Sequence, residues 1–260
     1  MRSSFLTVVT IGLVAAVTLA WFAAVETRGT VATDVGEAGV ALGGETARVV
    51  EQVAYHDDVV RVGDVVLVDG RPEDAIEVPE IAAVWEVVDG LLPDAERASV
   101  VQLSVIEEGG RGLVGVVHPA TGGGWILSLD VADLDDRRLV EETIVHEIVH
   151  MVTLDRDVFR FGDGRCDGVR IELGCAVAGS LLADFAVTFW PDGAVVGPAG
   201  DYVNRYAMTG VHEDLAETFT SMVMGWTPQG HVVAAKVAML AADPELAVLA
   251  EELRSSLSEP

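Results

Sequence analysis

Residues 145–151 read Val-His-Glu-Ile-Val-His-Met, an H-E-x-x-H motif with apolar flanks. On an α-helix, His146 and His150 lie four positions apart, so both imidazoles leave one face about a turn apart. Two neutral imidazoles at that spacing can grip one Zn2+, and Glu147 is then placed to take a proton from a metal-activated water. The positions inside and beside the motif carry no charge, proline or glycine, which suits a helix buried around a metal. The alternative is an amphipathic helix whose two histidines face solvent. It leaves Glu147 beside buried neighbours without a partner. The pattern predicts a helix over Asp136–Thr153, with Leu139, Thr143, His146 and His150 on neighbouring faces and Glu141 and Glu142 nearer its start.

A catalytic zinc site keeps three protein ligands and one open position. An extended metzincin pattern would need Gly at 153 and His at 156; Thr153 and Arg156 exclude it. A downstream carboxylate, or one of His56, His118, His212 and His231, remains for the third ligand. Glu213 and Glu217 are spaced i and i+4, so a helix presents both on one side. Two carboxylates on an apolar helix are expensive to bury without a cation. Glu213 is then the expected ligand, and Glu217 the acceptor for an N–H of a ligating histidine. A solvated acidic face is the competing account of the same pair.

The segment Tyr206-Ala-Met-Thr-Gly-Val-His-Glu-Asp-Leu-Ala-Glu-Thr-Phe219, placed after the H-E-x-x-H, resembles the gluzincin class of zinc peptidases. It is similar in its site motifs to bacterial zinc-binding metallopeptidases and to the anthrax lethal factor catalytic domain. Tyr206 precedes Glu213 by seven positions (213 − 206), the spacing of that family. The resemblance covers roughly 136–225. It implies zinc ligands His146, His150 and Glu213, catalytic Glu147, a transition-state hydrogen bond from Tyr206 and a supporting role for Glu217. One departure is the 63-position separation of His150 from Glu213 (213 − 150), longer than the shortest members need.

The elements that must position these groups are expected to be α+β. Pro79 opens an apolar-periodic helix that closes near Gly90 and Pro93. Strands are expected at Arg48–Ala54, Val59–Val68 (with a Gly63-Asp64 turn), Ser99–Ile106, Leu113–Val117 and Trp125–Leu129. Trp125–Leu129 is nominated as the sheet edge that could pair with an extended peptide. After the motif, Phe161–Cys175 reads as a loop rich in Gly and Asp, and Cys175–Trp190 as an apolar helix stopped by Pro191. Residues 231–242 and 244–257 read as two packing helices, the second capped by Asp243 with Pro244 at its first position. The expected fold is zincin-like: a small mixed sheet packed on the H-E-x-x-H helix, with a mainly helical C-terminal half.

Phe5–Val25 is an uncharged apolar run long enough to span a bilayer. Arg2 precedes it and mainly acidic residues follow, which orients the N-terminus to the cytoplasm. Residues 1–25 are therefore expected to be a signal anchor, with a cleaved signal peptide as the alternative. Residues 26–48 form a stalk, and 49–260 an extracytoplasmic peptidase domain, membrane-held or secreted. Cys166 and Cys175, the two cysteines, would close a disulfide in that oxidising space. The net charge of −26 over 260 residues argues against nucleic acid and against docking on anionic lipid. The expected activity is zinc-dependent hydrolysis of a peptide or protein substrate. The rival is a non-catalytic, membrane-anchored interaction domain with a structural zinc.

Overall fold

The runs rich in β-branched residues form strands, and the runs with helical apolar spacing form helices. The computed structural model describes residues 60–107, 114–191 and 197–257. The expected membrane segment 1–25, the stalk 26–48 and the strand at Arg48–Ala54 lie outside them. Among the described residues no helix is long and apolar enough to cross a membrane.

A five-stranded mixed sheet has the order β2-β1-β3-β5-β4. Its strands are β1 (Val60–Val68), β2 (Arg71–Pro72), β3 (Val100–Glu107), β4 (Gly115–Pro119) and β5 (Trp125–Asp130). β1 runs antiparallel to β2 and β3, β3 runs parallel to β5, and β4 returns antiparallel along β5. Two expectations are corrected here. Gly63-Asp64 is no turn: β1 continues through it with a register shift, and the chain reverses at Asp69 and Gly70, both at positive φ (50° and 71°). Trp125–Leu129 is no edge: β5 is enclosed between β3 and β4, and β4 is the outer strand.

Helix α1 (Pro79–Leu91) follows, with proline at its first turn as expected. The short helix α2 (Asp94–Ser99) was not foreseen. Helix α3 (Arg137–Thr153) carries the H-E-x-x-H; Asp136 caps it by accepting from the Leu139 N–H at 3.1 Å. One core joins Leu67 of β1, Ile81, Val84 and Val88 of α1, Leu103 and Val105 of β3, Leu127 and Leu129 of β5, and Ile144, Val145 and Ile148 of α3. From Val140 onwards α3 is buried nearly all round. A helix in that position lies against the sheet on one side and must find a second layer on the other.

That layer comes from the C-terminal half. The segment read as a cysteine loop is instead a small antiparallel sheet of order β6-β8-β7: β6 (Phe159–Phe161), β7 (Val169–Ile171) and β8 (Gly174–Ala176). Cys166 and Cys175 form a disulfide with Cα atoms 5.3 Å apart. Because Cys175 belongs to β8, the apolar helix expected from that cysteine begins only at Leu181: α4 (Leu181–Phe189), capped by Ser180. Helix α5 (Val211–Val223) packs on α3 and is backed by α4, α6 (His231–Ala242) and α7 (Pro244–Ser256). The α+β class and the helical C-terminal half are as expected.

Candidate metal centre

Three buried donors converge where α3 meets α5. His146 Nε2 lies 3.0 Å from Glu213 Oε2, His150 Nε2 lies 3.3 Å from the same oxygen, and the two Nε2 atoms are 3.1 Å apart. All three residues are 6–7 % exposed. The cluster can hold a metal ion. Tetrahedral coordination with bonds of about 2.0–2.1 Å places ligand atoms about 3.3 Å apart, close to the edges of this triangle. Two facing imidazole nitrogens share at most one straight hydrogen bond, whereas a cation lets each of them offer a lone pair. The donor set therefore fits a metal ion in both dimensions and chemistry.

Each donor reaches the centre for a local reason. The i, i+4 spacing on α3 brings the two imidazoles together edge to face, with ring centroids 4.8 Å apart. Glu213 and Asp214 occupy the first turn of α5, where the helix dipole favours negative charge. Glu217, one turn further on, places Oε1 3.1 Å from His146 Nδ1, an approach out of line for a straight hydrogen bond. Its other oxygen accepts from Asn204 Nδ2 at 2.6 Å. Asn204 Oδ1 also accepts the Ala207 N–H at 2.9 Å and so braces the 3-10 turn Tyr206–Met208. From that turn the Tyr206 hydroxyl donates to Glu213 Oε1 at 3.0 Å while the residue as a whole is 40 % exposed, so Tyr206 sits between solvent and the centre.

Glu147 is 6 % exposed and accepts the Val117 N–H of β4 on Oε2 at 3.0 Å. Burial pushes its carboxyl up to about 7, with the neighbouring His146 opposing and Glu213 adding to the rise. A carboxyl near neutrality can both take and return a proton. Burial drives His150 down to about 4, as a neutral nitrogen ligand requires. Burial also opposes a charge on His146, but Glu213 and Glu217 outweigh it and hold this histidine well above its usual range. Burial would raise Glu213 too; His212, His150 and His146 overcome it and keep the carboxylate ionised. Burial first, and then Glu213, lifts Tyr206 above the usual phenol range, so its hydroxyl remains a donor.

The structure thus gathers His146, Glu147, His150, Tyr206, Glu213 and Glu217 at one place. Cys166 and Cys175 are not among them: their disulfide ties the β6–β7 connection to β8. Of the other histidines, His56 lies outside the described residues, His118 is buried within β4, and His231 opens α6 on the surface. His212 is the surprise. It is buried beside Glu213, with Nε2 3.2 Å from Glu213 Oε1 and Nδ1 2.8 Å from Glu172 Oε1. The Glu172 approach is out of line for a straight hydrogen bond, and the contact is an ion pair. Burial disfavours charge on His212, but Glu213 and Glu172 raise it to about 9. The sequence offered His212 only as one of four histidines that could supply the third ligand; Glu172 carried no signal. Compared with family models, curated proteins and solved structures, the chain matches none of them.

Proposed function

We propose that residues 49–260 form a gluzincin-type zinc peptidase that hydrolyses peptide bonds in an extracytoplasmic protein or peptide substrate. The observation that carries this reading is the convergence of His146, His150 and Glu213 from two separate segments, with a buried Glu147 in electrostatic reach of the cluster. Two histidines and a carboxylate are a donor set of catalytic zinc, whereas structural zinc closes its shell with four cysteine or histidine ligands. When bound, such an ion supplies Lewis acidity and acidifies water.

The remaining steps belong to this chain's side chains. Glu147 takes the proton of the attacking water and delivers it to the leaving amine, a contribution of roughly 10²–10⁴ in rate. Tyr206 turns its hydroxyl from Glu213 towards the developing oxyanion, which its place at the border with solvent permits. Glu217 keeps His146 oriented through Nδ1. Strand β4 is the outer strand on this side of the sheet, and its Val117 N–H faces Glu147 rather than β5. An extended substrate pairing with β4 would pass along the centre. The Cys166–Cys175 bond supports an oxidising compartment, in keeping with a membrane-held or secreted domain.

The test is cleavage of an unstructured protein by the purified domain, with and without chelator, alongside Glu147→Gln. Chelation and the substitution should each abolish cleavage, and the variant should still bind one zinc. Parental cleavage by the variant would refute the role of Glu147. Zinc binding with no cleavage by the parent would select the interaction domain with a structural zinc.

A further inference from the structure

The two oxygens of Glu213 have different partners. Oε2 faces His146 and His150; Oε1 is held by the Tyr206 hydroxyl at 3.0 Å and by His212 Nε2 at 3.2 Å. His212 is itself fixed from behind by Glu172, 2.8 Å from Nδ1. Glu172 comes from the tight turn between β7 and β8, within the long insert that separates the H-E-x-x-H from Glu213. That turn is held by the β7–β8 ladder, in which Arg170 pairs with Cys175, one end of the disulfide.

Gly210 is shaped by the same pair. Its backbone is extended (φ −168°), a conformation open to any residue. The space is not. A Cβ there would lie 2.1 Å from Glu172 Oε1 and 2.7 Å from His212 Cε1. A methyl at 210 would therefore push aside the Glu172 carboxylate, the His212 ring or both.

We infer that Glu172 and His212 are positioning residues for the third ligand: carried by the disulfide-stapled sheet, they hold Oε1 of Glu213 so that Oε2 is presented to the metal. This rests on the three-ligand reading above. The insert thereby becomes part of the site's construction. A carboxylate free to rotate would offer either oxygen and would lose ordering entropy on binding; one clamped on Oε1 has lost it already.

The test measures zinc affinity by competition with a chromophoric chelator, and the melting temperature of the metal-free protein, for Glu172→Gln, Gly210→Ala, Glu172→Ala and the double variant Glu172→Ala/Gly210→Ala. Glu172→Gln and Gly210→Ala should each weaken zinc binding about 10–100-fold, with metal-free melting close to the parent's. In the Glu172→Ala background the added methyl should cost less affinity than in the parent, since its contact with the carboxylate is gone and only that with the His212 ring, 2.7 Å at Cε1, remains. His146→Ala is the control for the site itself. Parental zinc affinity in Glu172→Gln and Gly210→Ala would overturn the positioning role while leaving the three-ligand site intact. Equal zinc binding by parent and His146→Ala would remove the site and the inference together. Should Glu172→Gln fail to fold, Gly210→Ala decides, because it displaces the carboxylate without deleting it.

Discussion

Val117 and Glu147 stand 30 positions apart, and the Val117 N–H donates to Glu147 Oε2 at 3.0 Å. This bond joins the outer strand of the sheet to the helix that carries both histidines. It also explains how a carboxyl at 6 % exposure is tolerated in the core: one oxygen is satisfied by backbone, and the proton affinity of the group rises to limit its charge.

The raised Glu147 carboxyl has a definite consequence for the metal-free protein. Its folded pKa, about 7, lies above the ordinary value of 4.5, so the folded state holds this proton more tightly than the unfolded chain. Stability from this group is present below pH 4.5 and is lost as pH rises towards 7. The metal-free Glu147→Gln variant should therefore be more stable than the metal-free parent at pH 8, by on the order of 3 kcal/mol. The gap should shrink to below about 1 kcal/mol near pH 5. Urea unfolding of both proteins in chelator at the two pH values checks this. A parent that is equally stable at both, relative to the variant, would contradict the buried-acid account.

Metal removal should be felt by the whole fold. His146 and His150 on α3 and Glu213 on α5 come from the two helices that close the core, so a bound ion cross-links them. A ligand at about 1,000 times its Kd stabilises by about 4 kcal/mol. For a domain of this size that corresponds to a rise of roughly 8–16 °C in melting temperature. Differential scanning fluorimetry across a zinc titration should show a midpoint that climbs with free zinc and falls back with chelator. A midpoint independent of zinc would argue against any ion bridging these helices.

The sequence made α3 legible because two signals agree there: the apolar spacing and the i, i+4 histidines. Pro79 and the Asp243-Pro244 pair marked helix starts for the same reason, since a fixed φ and a missing N–H suit a first turn. The strands β6, β7 and β8 escaped because three residues are too few to establish an alternation, and their Gly and Asp neighbours resemble a loop. Strand order escaped because β4 precedes β5 in the chain yet lies outside it, so that β3 can pair in parallel with β5. Glu172 could not be found at all. Its role depends on a turn that is brought to α5 only by tertiary packing.

Behind Glu213, the next residue of α5 is anchored by a buried charge. Asp214 Oδ2 meets Lys236 Nζ of α6 at 2.7 Å and accepts the Trp190 Nε1–H at 2.8 Å; the ammonium also donates to the Asp201 carbonyl at 2.7 Å and lies 4.1 Å from the centre of the Tyr202 ring. Both charged residues are at most 1 % exposed. Removing one partner leaves the other buried and uncompensated, so Lys236→Met should cost about 3–5 kcal/mol. Adding Asp214→Asn to it should recover a large part of that loss, because the stranded charge is gone. Chemical denaturation of the two single variants and the double variant measures the coupling. Additive losses would mean that the pair does not act as a unit.

His118 supplies a test on the acid side. It lies in β4 at 6 % exposure, and burial drives its pKa from 6.5 down to about 3. The unfolded chain therefore binds a proton between those values that the folded protein refuses. Stability from a neutral His118 is full above pH 6.5 and is lost as pH falls towards 3. Carboxylates also titrate over part of this range, so the informative quantity is a difference between proteins. Relative to His118→Gln, which has no proton to gain, the parent should lose about 2 kcal/mol between pH 7.5 and pH 5. Urea unfolding of the pair at both pH values gives that difference directly. If it stays constant, this imidazole is protonated in the folded state, and the strand around it must open to water more readily than its burial implies.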